Sequence, residues 1–272
     1  PVSNLCFTSK LLEKVVANRL MSHVNLTKLS NPFQSAYKKL HSTETALLKI
    51  HSDVLTAMDK GKVMALALID LSAAFDTIDH RILTHRLEKW FGISDLALHW
   101  LSSYLTDRSQ CIKLDGCLSP NLAIPFGVRQ GSVLGPLLFS LYTTPLSSVI
   151  ESHSVPHQLY ADDTQMYASF SAKDSDKSLQ SLQACLGSVQ KWMFQNKLKL
   201  NPDKTEFLLI GNEQQRKKFL SLFPVPLMGV DTNPTKSARN LGVIFDKNFT
   251  LHSHISQVIS SCNYHIRDMR RI

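Results

Sequence analysis

Three features of the sequence predict an α+β fold with an antiparallel sheet backed by helices. Val63-Met64-Ala65-Leu66-Ala67-Leu68-Ile69 is an unbroken apolar run of strand length, as expected of a strand buried on both faces. Tyr160-Ala161-Asp162-Asp163 separates two short apolar and aromatic runs, 157–160 and 164–170, and so reads as the tip of a β-hairpin. Helical periodicities come in groups between the strands, which argues against a regular doubly wound sheet.

In chain order, residues 11–20 form an amphipathic helix with Leu11, Leu12, Val15, Val16 and Leu20 turned inward. Residues 43–58 form another, with Ser42 as N-cap and Ala46, Leu47, Ile50, Val54 and Leu55 as the apolar stripe. The strand 63–69 ends at Asp70, after which Leu71-Ser72-Ala73-Ala74-Phe75-Asp76 leads into a helix carrying Ile78, Ile82, Leu83 and Leu87. Residues 93–105 are helical and 111–114 a short strand. Gly127 to Pro136 is a glycine-rich loop running into the apolar segment 137–142. Leu179, Leu182, Leu186, Val189 and Trp192 mark a helix over 174–196 that covers one face of the sheet. Strands over 205–210 and 240–246 and a helix over 254–272 complete the chain.

With 272 residues, 43% of them hydrophobic, the chain suffices for one large domain or two small ones. Its longest apolar run is too short to span a bilayer and no secretory signal pattern opens it, so a soluble intracellular protein is expected. Cys6, Cys111, Cys117, Cys185 and Cys262 are odd in number and show no paired spacing; they read as reduced thiols of a cytosolic or nuclear protein. Beginning at Pro1, the chain is expected to be an excerpt. The net charge of +8 divides as +5 over residues 1–62, −4 over 63–166 and +7 over 167–272. Basic flanks around an acidic centre suit a protein that grips a polyanion and binds cations inside, although a solvated surface gives the same totals.

Asp162 and Asp163 repel one another and do nothing for a fold on their own. Taken alone, the tetrapeptide is more simply a tight turn that happens to carry two aspartates. Asp70, at the end of a buried strand, supplies a third carboxylate. Together the three match the layout that holds two Mg²⁺ ions about 3.5–4 Å apart for in-line displacement at phosphorus. Hard oxygen donors without histidine favour Mg²⁺, with Mn²⁺ as a substitute. The loop Gly127-Val128-Arg129-Gln130-Gly131 lacks a P-loop or dinucleotide fingerprint. Its glycines allow close backbone approach to a nucleotide, with Gln130 as hydrogen-bonding group, or they form a plain connection. Lys204, in Asn201-Pro202-Asp203-Lys204-Thr205, is either a solvated turn lysine or a positive charge near the carboxylates. His252, His254, Cys262 and His265 lack the pairing of a zinc site. Tyr37-Lys38-Lys39-Leu40-His41 is a basic, aromatic patch.

The order of these pieces resembles the reverse transcriptase domain of non-LTR (LINE-type) retrotransposons over almost the whole chain. Leu68 to Asp76 is similar to polymerase motif A, Gly127 to Pro136 to motif B and Tyr160 to Asp163 to motif C. Lys204 within 198–207 is similar to motif D, and Asn240-Leu241-Gly242-Val243 to motif E. Upstream, Phe33 to Leu47, including Gln34-Ser35 and His41 to Leu47, resembles the fingers motif of these elements.

The resemblance implies a right-hand polymerase with fingers and palm, its thumb truncated or absent. Residues 1–62 would belong to the fingers, 63–250 to the palm with further fingers elements at about 90–130, and 251–272 to the start of a thumb or connection helix. It implies RNA-directed DNA synthesis, adding deoxynucleotides to a DNA primer 3′-hydroxyl on an RNA template. Asp70 and Asp162 would be the principal ligands of two metal ions, with Asp163 completing the set and Leu71 offering its carbonyl. Phe75 would be the steric gate against a ribose 2′-hydroxyl. Gln130 and Gly131 would support the incoming nucleotide, Lys38 would contact its triphosphate and Lys204 would assist the departing pyrophosphate. An endonuclease and further C-terminal regions would lie elsewhere in the same polyprotein. Arg129 replaces the family's usual proline, and Tyr37-Lys38-Lys39-Leu40 a more usual Phe-Arg-x-Gly, where lysine lacks arginine's bidentate hold on phosphate. A decayed or domesticated copy that binds nucleic acid without catalysis is the alternative from another class, and an RNA-directed RNA polymerase a third.

Overall fold

The computed structural model describes residues 3, 5–171, 174–219, 223–227 and 230–270. Helices α1 (Phe7–Leu26) and α2 (Thr43–Asp59) precede the first long strand, β1 (Val63–Ile69). A two-residue strand, β2 (Leu71–Ser72), and a 3₁₀ turn at Ala74–Asp76 follow, then α3 (His80–Lys89) and α4 (Asp95–Leu105). Four two-residue strands, β3 (Ser109–Gln110), β4 (Lys113–Leu114), β5 (Cys117–Leu118) and β6 (Leu122–Ala123), make an exposed ribbon. Helices α5 (Leu134–Thr143) and α6 (Pro145–Glu151) lead to the hairpin β7 (His157–Tyr160) and β8 (Asp163–Phe170). Then come α7 (Ser175–Gln195), β9 (Lys199–Leu200), β10 (Glu206–Ile210) and α8 (Glu213–Phe219). Two small hairpins, β11 (Val225–Leu227) with β12 (Val230–Thr232) and β13 (Ser237–Asn240) with β14 (Val243–Asp246), precede α9 (His252–Met269).

The central sheet runs β10-β1-β8-β7, antiparallel throughout. Strand β1 lies inside it, paired on both edges and buried at all seven positions. Alternate side chains feed two cores: Val63, Ala65, Ala67 and Ile69 face the layer of α3, α5, α6 and α7, while Met64, Leu66 and Leu68 meet Ile50, Val54 and Ala57 of α2 with Phe245 and Phe249. Helices on both faces explain why β1 reads as a continuous apolar run. Leu66 is fully buried, and truncating it to alanine would cost about 2–5 kcal/mol. Between α3, α5 and α7 lies the buried Arg86, whose guanidinium donates to the Tyr142 carbonyl and, at 2.6 Å, to Asn196 Oδ1.

Several elements differ locally from expectation. Helix α1 is longer and turned: Leu11, Leu12 and Val15 are exposed, and Glu13, Leu20 and Val24 are its buried residues. Ser42 does cap α2, in a capping box with Thr45 rather than an acidic residue. Ile78 precedes its helix, because Asp79 accepts from the amides of Arg81 and Ile82 and starts α3 at His80. Residues 111–114 do not form one strand but part of the ribbon. Gly135 and Pro136 lie within α5 instead of the preceding loop. Residues 240–246 form a turn at Leu241-Gly242 between β13 and β14, both turn residues having positive φ, of 45° and 90°. Helix α9 begins two residues before expectation, and residues 271–272 of the expected range lie outside those described.

Candidate active site

Pairing register brings the first carboxylate to the other two. β1 and β8 pair with Ile69 opposite Thr164, so one position further out Asp70 faces Asp163 at the open end of the sheet. β7 and β8 close with Tyr160 opposite Asp163, leaving Ala161 and Asp162 as the two-residue loop. Ala161 takes φ of +54°, a left-handed conformation costing about 1 kcal/mol in a residue with a Cβ. The side chain of Gln34, 5% exposed, holds it there, accepting from the Ala161 amide at 3.0 Å. Ser35 and Gln158 add to the same seam: Ser35 N donates to Leu159 O at 3.0 Å, and Gln158 Nε2 donates to Ser35 Oγ at 2.6 Å.

The third wall comes from the segment between α7 and β10. Asn201 N donates to the Asp70 carbonyl at 3.0 Å and Asn201 Nδ2 to Asp70 Oδ2 at 3.3 Å. The 3₁₀ turn Pro202–Lys204 then sets Lys204 Nζ 4.0 Å from Asp70 Oδ2. A pocket lined by Asp70, Asp163, Gln165, Lys204, Arg239 and Asn240 joins this corner to the β13–β14 turn. Gln165 Nε2, donating to Asn240 Oδ1 at 2.7 Å, ties the two hairpins together beneath it.

Electrostatics single out the same residues. Burial, followed by the charges of Asp162 and Asp70, pushes Asp163 up to about 6. Burial also raises Asp162, with Asp70 adding to the rise while its own backbone hydrogen bond and Lys204 oppose it. Asp162 and Asp163 are thus both held above the ordinary carboxylate range, burial being the leading cause and the charge of Asp70 adding to each. Among the described residues, no group of three or more His, Cys, Asp or Glu side chains is placed so that it could hold a metal ion. In chemistry alone the three carboxylates are hard oxygen donors of the kind divalent cations take, with Lys204, 4.0 Å from Asp70 and opposing the rise at Asp162, as the nearby positive charge.

The other expected residues fall in three places. Phe75 occupies the 3₁₀ turn after Asp70 and stacks on Phe139 at 4.7 Å between centroids. Gln130 stands beside that turn, its Nε2 donating to Asp76 Oδ2 at 3.4 Å, and Gly131 has φ of +91°. Backbone bonds weld the two segments, from Gly127 N to Ile78 O and from Val128 N to Phe75 O, both 2.8 Å. At Gly127, φ is +86° and an added Cβ would stand 2.9 Å from Asp76 Cα and O. Leu71 is buried in the β2–β9 ladder opposite Leu200. Lys38 lines a separate hollow with Asn31, Leu137 and Thr144 and makes no ion pair with the aspartates among the described residues. Its neighbour Tyr37 does sense the site: its pKa is raised first by burial and then by Asp162. Gln34 and Asn201 stand within the segments that resemble the fingers motif and motif D, but the sequence analysis assigns neither a role at the site, and their contacts to Ala161 and Asp70 appear only in the structure.

The family model for reverse transcriptase (RNA-dependent DNA polymerase) matches residues 1–245. The chain belongs to the reverse transcriptase family. It is 29% identical over 277 residues to a probable RNA-directed DNA polymerase from transposon BS of Drosophila melanogaster, covering 99% of this chain and 30% of that protein. It is 28% identical over 264 residues to the RNA-directed DNA polymerase from mobile element jockey of the same fly, covering 95% and 28% respectively. The chain therefore spans about 30% of the length of the curated relatives it matches. Among solved structures, apo telomerase from Candida tropicalis truncated from its C-terminal domain superposes with a TM-score of 0.59 at 13% identity, covering 88% of this chain and 44% of that one. The fold is thus that of a polymerase, and the chain is a reverse transcriptase domain of the LINE-type retroelement kind. No described helix of this reverse transcriptase domain is long and apolar enough to cross a membrane.

Proposed function

We propose that the domain carries out RNA-templated DNA synthesis at the sheet end where Asp70, Asp162 and Asp163 converge. The observation that carries this is the gathering of three partly buried carboxylates at one end of the sheet, where burial first and then the charges of Asp162 and Asp70 push Asp163 up to about 6. Asp70 and Asp162 would be the principal ligands of two Mg²⁺ ions, replaceable by Mn²⁺, with Asp163 and the Leu71 carbonyl completing the donor set. Bound there, divalent ions would neutralise the carboxylates, ease attack by a primer 3′-hydroxyl and offset charge on the leaving pyrophosphate.

The remaining steps fall to the chain itself. Gln34 fixes the turn that carries Asp162, and Asn201 fixes Asp70, so the donor atoms are set before substrate arrives. The ring of Phe75, backed by Phe139 at 4.7 Å, would stand near the carboxylates and exclude a ribose 2′-hydroxyl. Gln130 and Gly131 would support the incoming deoxynucleotide, and Lys204 would offer a positive charge to the departing pyrophosphate. Lys38 would contact the triphosphate. Residues 1–62 would act as fingers and 63–250 as palm with inserted fingers elements at about 90–130. The exposed helix α9 would open a thumb or connection. An RNA template and a DNA primer would be the macromolecular partners, with an endonuclease elsewhere in the polyprotein.

Primer extension by the full-length parent protein tests the assignment. Asp162→Ala should abolish deoxynucleotide incorporation on an RNA template, and extension at the parental rate would overturn it.

A further inference from the structure

Glu13 is among the most deeply buried charged side chains in the chain, at 1% exposure. A carboxylate taken out of water needs partners, and two of the three come from the far side of the sequence. Its Oε2 accepts from Val133 N at 2.7 Å and from Leu134 N at 3.2 Å, and its Oε1 accepts from Ser9 Oγ at 3.2 Å. Those two amides open α5, where Val133 in the N-cap position has no side-chain acceptor of its own. Glu13 therefore caps a helix 120 residues away, in the field of its positive end.

Only Val133 separates Gln130-Gly131-Ser132 from the start of α5 at Leu134. The same stretch has a second tether to the N-terminal segment, from Ser3 N to Gln130 O at 2.9 Å. A third contact comes from Arg129, whose guanidinium lies 5.7 Å from the centre of the Tyr104 ring, in a pocket that Tyr104 and Arg129 share with Ser9 and Glu13. We propose that Glu13 is a positioning residue for the Gly127–Ser132 loop, setting where Gln130 meets the incoming nucleotide. The kinetic part of this inference rests on the role proposed for Gln130, whereas the structural part does not.

Glu13→Gln in the full-length protein keeps the volume and one acceptor but removes the charge. It should speed amide hydrogen exchange at Val133, Leu134 and the 129–132 loop while β1 and β8 keep their protection. It should also raise the KM for deoxynucleotide about 3–10-fold with kcat changed less, the effect of losing a charge-assisted hydrogen bond. In a Gln130→Ala background the same substitution should add little further, because residues acting as a unit are not additive. Unchanged exchange at Val133 and Leu134 would overturn the proposal, as would uniform loosening of the whole domain or full additivity of the two substitutions. If exchange changes locally but Gln130→Ala alone leaves KM unaltered, the role of Gln130 fails and the anchoring of the loop by Glu13 stands. Should Glu13→Gln not fold, Glu13→Asp, which keeps the charge but shortens the reach, must give the same local exchange pattern.

Discussion

Gln34 grips the peptide of Ala161 from both sides, its Oε1 accepting from Ala161 N at 3.0 Å and its Nε2 donating to Ala161 O at 3.3 Å. The same Oε1 accepts from Ala36 N at 2.9 Å, so the amide is itself held. A turn residue with unfavourable φ is thus fixed from outside its own hairpin, one position before Asp162. Gln34→Ala removes both bonds and should lower kcat for single-nucleotide addition about tenfold, with little change in the KM for deoxynucleotide. A kcat within twofold of the parent would show that the hairpin holds its shape unaided.

Asp163 makes the metal-free domain sensitive to pH. Its pKa is raised from 3.8 to about 6, so the folded state binds this proton more tightly than the unfolded chain. The sign follows: as pH falls from 7 through 6 toward 4 the folded state gains stability from this group, and as pH rises above 6 that gain is gone. Asp163→Asn should therefore raise the melting temperature at pH 7.5 and flatten its dependence between pH 7.5 and 5. Thermal melts in chelator with and without the substitution measure both effects, and parallel pH profiles would refute the assignment.

Divalent ions should act on the same groups in the opposite pH direction, stabilising where the carboxylates are charged. At pH 7.5, Mn²⁺ or Mg²⁺ at about 100 times its dissociation constant should stabilise the fold by about 2.7 kcal/mol. Asp70→Asn should sharply reduce the rise in melting temperature. Titration calorimetry that finds the same affinity in that variant would remove Asp70 from the ligand set.

Phe75→Ala should relax sugar choice and weaken the turn together. Loss of the ring stacked on Phe139 should cost about 1–3 kcal/mol, and discrimination against ribonucleotides should fall at least about tenfold. Competing ribo- and deoxynucleotide incorporation by the full-length protein measures the second effect. Unchanged discrimination would separate Phe75 from sugar selection.

Much of this architecture is legible in the sequence where one residue pattern has one physical solution. The run 63–69 is apolar at every position because helices cover both faces of β1, and the Asp162-Asp163 hairpin sits between two strand-like runs that do pair. Periodicity misleads at α1, where Leu11, Leu12 and Val15 form an apolar stripe yet stand exposed while the charged Glu13 is buried. Burying a carboxylate there is favourable only because α5 presents two amides, and nothing local to residues 7–26 reports that. Asn201 and Gln34 stand in recognisable motifs, but their bracing roles are not legible for the same reason: their partners are 131 and 127 residues away. The three aspartates were visible as a pattern, but only the register of β1 on β8 gives the facing of Asp70 and Asp163 a cause.

The close approach of Gly127 to Asp76 has a consequence for variation among such enzymes. Because a methyl group at Gly127 would strike the backbone behind Phe75, the segment that would judge the sugar and the segment that would support the nucleotide share a single margin of error. A substitution that shifts one by a few tenths of an ångström displaces the other. Sugar preference and nucleotide affinity should then drift as a pair, and a variant selected for one trait would bring a change in the other with it.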